Sequence, residues 1–150
     1  MGLGSVATLM RETIDVPLPG LPGLLQMQMH DIGTESNPEI RGSMAVGNEH
    51  LAPSGYLHGA TVVALADTAC GYGCLGSLPV GKTGFTTIEL KTNFLGTGRV
   101  GETITVHANA VHRGGTTQIW DAVVAVDRPD GGTPATIAVF RCTQLLLEPR

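Results

Sequence analysis

Hydrophobic and polar residues follow a strand rhythm in six stretches of this chain and a helical one in a seventh. Residues 24–32 (LLQMQMHDI) set Leu25, Met27 and Met29 against Gln26, Gln28 and His30, a period of two. Residues 39–46 alternate again, and the Asn37-Pro38 turn signal between the two makes them a hairpin. Residues 58–74 (HGATVVALADTACGYGC) change rhythm. Val62, Leu65, Ala66, Ala69 and Gly73 recur at helical spacing, in a run too long and too alanine-rich for a strand. Gly71, Gly73 and Gly76 weaken its last turns, and Pro79 ends it at the latest. Four strand segments follow, at 85–95, 102–112, 116–127 and 134–147. Short linkers at 113–115 and 128–132 join the last three, the second carrying the hairpin signal Asp130-Gly131.

The order β-β-α-β-β-β-β predicts an α+β domain, one antiparallel sheet of about six strands curled around one central helix. Ahead of it, residues 4–13 predict a short helix with Ser5 as N-cap. The cluster Pro17, Pro19, Gly20, Pro22 and Gly23 reads as a connector without regular structure. The expected division is helix and connector over 1–23 and the domain over 24–150.

Composition narrows the classes. A length of 150 residues suits a single domain whose core needs no staples. A formal charge of −4 with only 9 Lys+Arg argues against a nucleic-acid surface. No apolar run approaches the roughly 20 residues of a membrane span, and the N-terminus lacks the pattern of a secretory signal. The cysteines, Cys70, Cys74 and Cys142, are odd in number, and two share one helical face. That is no disulfide framework, and without a nearby His it is no zinc site. They read as small buried hydrophobes in a reducing cytoplasm, and no metal is expected.

One residue does not fit its surroundings. Asp67 sits in the middle of an apolar helix, where an unpaired buried charge is expensive. On residue type alone, a cap, a surface position and a functional acid are all open.

A helix that opens His58-Gly59, with a carboxylate nine positions after the His, wrapped by strands in this order, resembles the hotdog-fold acyl-CoA thioesterases of the phenylacetate-pathway (PaaI-like) type. The resemblance runs from about residue 24 to about residue 147. Two positions depart from it. The family's second helix glycine is Ala60 here. The supporting Asn or Gln six residues before the His is Ala52, for which Asn48 or His50 are the candidate stand-ins.

The resemblance implies thioester hydrolysis, which needs a donor for the developing oxyanion and a base or nucleophile for the carbonyl carbon. Gly59 offers the donor, because leading N–H groups of a helix are unpaired and the dipole favours negative charge there. Its plainer role is close packing of loop and helix. Asp67 is the acid, as general base toward water or as nucleophile through an anhydride. His58 orients the loop at the helix start and contributes to catalysis secondarily. Relatives place a hydroxyl near Thr87 that positions the attacking water, although Thr is also simply a good strand residue. For the coenzyme the resemblance points to Arg113, Gly114, Gly115, Thr116 and Thr117, a composition equally at home in an ordinary hairpin turn.

Gly59 and Asp67 are eight residues apart, roughly 12 Å along a helix. One carbonyl cannot touch both on one straight helix. If both act on one thioester, the acid comes from a second copy. A homodimer with two interface sites, or a dimer of such dimers, is therefore expected. Coenzyme A belongs to the substrate, and no separate cofactor is expected. The alternatives are a thioesterase acting on acyl carrier protein and a non-catalytic acyl-CoA binding module. The hydratase branch of the fold would show a Gly-Asp-x-Asn-Pro-type loop, which this sequence lacks.

Overall fold

The computed structural model describes residues 18–150. The helix expected over 4–13 lies outside the described residues. The first element, α1 (Gly20–Leu24), corrects the expectation of an irregular connector. Pro22 falls in the first turn, where a backbone N–H has no helical partner to lose, so proline is tolerated. Gln26, at φ 59°, then turns the chain out of the helix, and the Met27 N–H donates back to the Pro22 carbonyl at 2.9 Å. This turn takes up residues 24 and 25 and delays the first strand.

Six strands follow with one long helix among them: β1 (Gln28–Asp31), β2 (Glu39–Ala45), α2 (Gly59–Gly76), β3 (Gly84–Phe94), β4 (Thr103–Arg113), β5 (Thr117–Val126) and β6 (Ala135–Leu147). A short 3-10 turn, Asn48–His50, lies in the loop before α2. The strands form one antiparallel sheet in the order β1-β2-β4-β5-β6-β3. The sheet curls around α2, which touches β2, β3, β4, β5 and β6. This is the α+β architecture that the residue pattern predicts. The core lies between helix and sheet, where Met44, Leu65, Ile104, Trp120 and Val124 are almost fully buried.

Small residues let α2 sit this deep. A Cβ on Gly71 would come 2.7 Å from the Phe85 ring, and one on Gly73 would come 2.4 Å from Trp120. These glycines cost helix propensity, roughly 1 kcal/mol each relative to Ala, and in return two aromatic rings lie directly on the helix backbone. The helix therefore runs past Cys74 to Gly76, where Ser77 Oγ donates to the Gly73 carbonyl at 2.7 Å.

Strand β3 carries one irregularity that matters for function. Its pairing with β6 shifts between Thr87 and Glu89, a β-bulge. Phe85 meets α2 at Gly71 and Phe94 meets it at Gly59, although one is an odd and the other an even position. Strict alternation from Phe85 would turn Glu89 and Lys91 toward the helix. The bulge instead keeps Thr87 inward and then exchanges phase.

Candidate functional site

The site begins at the helix N-terminus. His58 is the N-cap, exposed, and its Nδ1 accepts the Ala60 N–H at 3.0 Å. The His58 carbonyl accepts from Thr61 and Val62 at 2.9 and 3.4 Å. The N–H of Gly59 has no partner among the described residues, so it is a free donor at the positive end of the helix. His58 thus caps the helix start. Phe94 lies over Gly59, with its Cζ 3.0 Å from where a Cβ would be.

The loop before the helix is braced by His50, which is buried. Its Nδ1 accepts the Gly47 N–H at 2.9 Å. Its carbonyl takes the His58 N–H at 2.9 Å and the Thr61 hydroxyl at 3.3 Å. Ala52 is held by backbone bonds alone, to Tyr56 and Gly55. Asn48 is exposed and makes no side-chain hydrogen bond among the described residues. Of the two candidate stand-ins, only His50 is built into the helix start, and it acts there through its backbone.

Two turns further along α2, Asp67 is half-buried. Its Oδ1 lies 2.9 Å from the hydroxyl of Thr87. Burial raises the Asp67 pKa above the ordinary carboxylate value, and the Thr87 bond only partly offsets this. Oδ2 makes no hydrogen bond among the described residues. Thr68, beside it, is half-buried and belongs to no comparable contact.

The three thiols lie below this carboxylate, all buried and unpaired by disulfides. The Cys142 thiol and burial raise the Cys70 pKa well above its usual value, and burial pushes Cys74 up to about 12. Cys70 and Cys74 are therefore held as thiols, poor nucleophiles at neutral pH. Among the described residues, no group of His, Cys, Asp or Glu could hold a metal ion.

The β4–β5 turn lies at the other end of the helix. Arg113 donates from Nη1 to the Glu35 carbonyl at 3.1 Å and from Nη2 to the Ser36 carbonyl at 3.2 Å, clamping the β1–β2 turn. Gly114 closes the hairpin by donating to the Thr117 carbonyl at 2.9 Å. Gly115 and Thr116 are exposed, and Thr117 opens β5. Arg113 and Gly114 edge a cleft of about 700 Å³ whose other walls include Tyr72, Ser77, Asp31 and Glu35.

The chain thus brings together Asp67 with Thr87, and His58 with Gly59. It does not bring these two pairs together, and Arg113, Gly115, Thr116 and Thr117 form a third, separate place. The sequence reading missed one member, Gln144 on β6, whose Oε1 lies 2.8 Å from the Thr87 hydroxyl. Its signal was present: Gln144 falls on the inward phase of β6 with Phe140, Cys142 and Leu146, where a buried amide requires partners.

The profile of the Thioesterase superfamily matches residues 54–132, which include the helix start, Asp67, Thr87 and the β4–β5 turn. A 1,4-dihydroxy-2-naphthoyl-CoA hydrolase of Listeria monocytogenes is 32% identical over 91 residues, covering 61% of this chain and 68% of the relative. Among solved structures, the E. coli PaaI protein from the phenylacetic acid degradation operon superposes with a TM-score of 0.73 at 20% identity, covering 97% of this chain and 96% of that one. A hypothetical thioesterase protein of Streptococcus pneumoniae TIGR4, solved with coenzyme A, gives a TM-score of 0.68 at 19% identity over 83% of this chain and 90% of its own. At such identities the structural likeness speaks for the fold.

Proposed function

The chain belongs to the thioesterase superfamily, in its hotdog fold, and we propose that it hydrolyses acyl-CoA thioesters to the free acid and coenzyme A. The observation that carries this reading is the contact of Asp67 with Thr87: a carboxylate made more basic by burial, with one oxygen held by a hydroxyl and the other open. The name of the Listeria relative supports a CoA thioester in preference to a carrier-protein one. The shortage of basic residues, 9 Lys+Arg against 13 Asp+Glu, also offers little for an acidic carrier to dock on.

In this reading Asp67 Oδ2 takes a proton from water as the water oxygen bonds to the thioester carbon. The carbonyl electron pair moves onto oxygen, where the Gly59 N–H meets it. Collapse re-forms the carbonyl and breaks the C–S bond, and the departing thiolate takes the proton back from Asp67. In the alternative route Asp67 attacks the carbon itself, coenzyme A leaves, and water opens the mixed anhydride. A single turnover in H₂¹⁸O that leaves ¹⁸O in Asp67 establishes the anhydride route, because that label enters only when water opens the anhydride at the Asp67 carboxyl carbon.

Gly59 and Asp67 lie on one continuous helix, roughly 12 Å apart. The proposed site therefore joins Gly59 of one subunit to Asp67 of the partner subunit. Strand β3 supports such a dimer. It is an edge strand of 11 residues, and Ile88, Leu90 and Phe94 stand on it 55%, 43% and 53% exposed. Antiparallel pairing of two β3 edges about a two-fold would also lay two α2 helices side by side in opposite directions. The β4–β5 turn, with Arg113 and the exposed backbone of Gly115, Thr116 and Thr117, is the proposed seat for the coenzyme's phosphates. Asp31 and Glu35 in the neighbouring cleft favour its outer face for an anion.

The test is hydrolysis of an acyl-CoA panel by the wild type, Asp67→Ala and Gly59→Pro, singly and mixed after unfolding and refolding together. Each variant alone should be inactive. The mixture should recover about a quarter of wild-type activity, since half the dimers are mixed and each has one intact site. Turnover by Asp67→Ala near the wild-type rate overturns the catalytic assignment. Inactive singles whose mixture stays inactive overturn the shared site.

A further inference from the structure

Two glutamines, Gln118 and Gln144, are fully buried side by side on β5 and β6. Their amides are held differently. Gln118 Oε1 accepts the Trp120 indole N–H at 2.8 Å, and its Nε2 donates to the Ser77 carbonyl at 3.1 Å. An indole only donates and a carbonyl only accepts, so this amide has one orientation. Gln144 has no such fixed partner. Its Oε1 faces the Thr87 hydroxyl at 2.8 Å and its Nε2 faces Cys142 Sγ at 3.4 Å, and hydroxyl and thiol can each donate or accept.

The hydroxyl of Thr87 has one proton and two claimants, Asp67 Oδ1 at 2.9 Å and Gln144 Oε1 at 2.8 Å. An ionised Asp67 only accepts, and an amide oxygen only accepts. The observed orientation of Gln144 is therefore satisfied in full only when Asp67 carries a proton and donates it to Thr87. We propose that Gln144 is a positioning residue for Asp67: it claims the Thr87 proton, leaves the carboxylate short of a donor, and so makes Asp67 a stronger base. Ionisation of Asp67 then leaves two acceptors facing the single Thr87 proton, a cost that removing the Gln144 amide would lift. This inference rests on the reading of Asp67 as the catalytic carboxylate.

The other titratable groups around Asp67 do not supply this effect. On its own helix Cys70 is a buried thiol, and on β6 Cys142 is its partner. On β3, Glu89 and Lys91 are exposed. Asp121 on β5 and Arg141 on β6 pair with each other on the outer face, and on β2 and β4 Glu39 and His107 do the same. Arg41 on β2 is exposed. Burial and Thr87 are the influences on Asp67 itself.

The experiment reads the acid limb of the kcat/KM pH profile in Gln144→Met, which keeps the length of the side chain without the amide, and in Gln144→Glu. In Gln144→Met the Thr87 proton falls wholly to Asp67, so the limb moves to lower pH, by about half a unit to one unit. In Gln144→Glu a second carboxylate faces the same hydroxyl, and the limb moves to higher pH. In a Thr87→Val background Gln144→Met should move it no further. A role in packing alone would lower kcat in both variants with the limb unmoved, and that result overturns the proposal. Carboxyl ¹³C NMR titration of the wild type, assigned with Asp67→Asn, needs neither a Gln144 variant nor turnover. The Gln144 side-chain amide resonances should titrate together with Asp67, and invariance of those resonances across the Asp67 transition also overturns it. Full turnover by Asp67→Asn would overturn the catalytic reading instead, while the NMR titration still decides the Gln144 effect.

Discussion

At one end of α2 Gly59 lies under Phe94, and near the other Gly73 lies under Trp120. Both glycines carry an aromatic ring where a side chain would be, yet the surroundings differ. Phe94 is 53% exposed and can move, whereas Trp120 is 0% exposed and tied through its indole to Gln118. Gly59 has an N–H without a partner among the described residues. Gly73 sits inside the helix, and even its carbonyl is taken up again by Ser77. One end of the helix leaves a backbone group free and its cover loose, and at the other the Gly73 carbonyl and the Trp120 indole are both taken up. Polar groups without partners are costly in a core and useful at a site, so the difference separates the part proposed for the chemistry from the part that holds it.

The largest effect should come from deleting the free N–H. Gly59→Pro removes it with little harm to the helix, because proline is favoured at the first helical position. The preceding residue, His58, already has the extended backbone that a proline demands, with φ −66° and ψ 129°. The expected outcome is a fall in kcat of roughly 10² to 10³. The melting temperature should stay close to wild type, since only Phe94 has to yield. A variant that melts far below wild type would show that this end, too, is built for packing.

Gly73→Ala should do the reverse. The new methyl would lie 2.4 Å from Trp120 Cη2, and a fully buried indole has no room to withdraw. Overpacking of this kind costs about 1–3 kcal/mol, partly offset by the roughly 1 kcal/mol gain in helix propensity. Thermal melting should fall by a few degrees while kcat per folded molecule holds. Loss of kcat without loss of stability would break the contrast between the ends.

Much of this was legible in the residues. The strands announce themselves because each has one face on the core, and α2 does so through its length and small side chains. His58, Gly59, Asp67 and Thr87 were legible as a set only through resemblance to a family. What stayed hidden had physical reasons. The bulge in β3 exchanges the faces of the strand in mid-course, so no single period describes 84–94, and the inward positions of Thr87 and Phe94 cannot both be read from alternation. The helix at Gly20–Leu24 uses Pro22 where a helix tolerates proline, which composition alone scores as a break. Arg113 is proposed beside the coenzyme's phosphates, and only the fold reveals that its guanidinium also donates to the β1–β2 turn, a contact with residues some 77 positions away. Gln144 was visible as a polar residue on an apolar phase, and only the fold reveals that Thr87 is its neighbour.

Between the two ends lies Asp67, where the proposed chemistry and stability meet in one group, and there the expected effect is smallest. Burial raises its native pKa above that of the unfolded chain, so the native state binds this proton more tightly. The sign follows directly. The stabilising contribution is complete below the unfolded pKa, about 3.9 for Asp, and is lost as pH rises through the raised native value. Above that value the fold carries a desolvated charge that the Thr87 bond offsets only in part. Asp67→Asn removes the charge and keeps the shape, so it should melt with the wild type at pH below about 3.9 and above it at neutral pH. The difference should be small, on the order of 2 °C, because the carboxylate is only half-buried. Melting curves of both proteins across the acid range measure it. A neutral-pH melting temperature lower in Asp67→Asn than in the wild type would mean that the ionised carboxylate supports the fold, and that its place in the middle of α2 is structural.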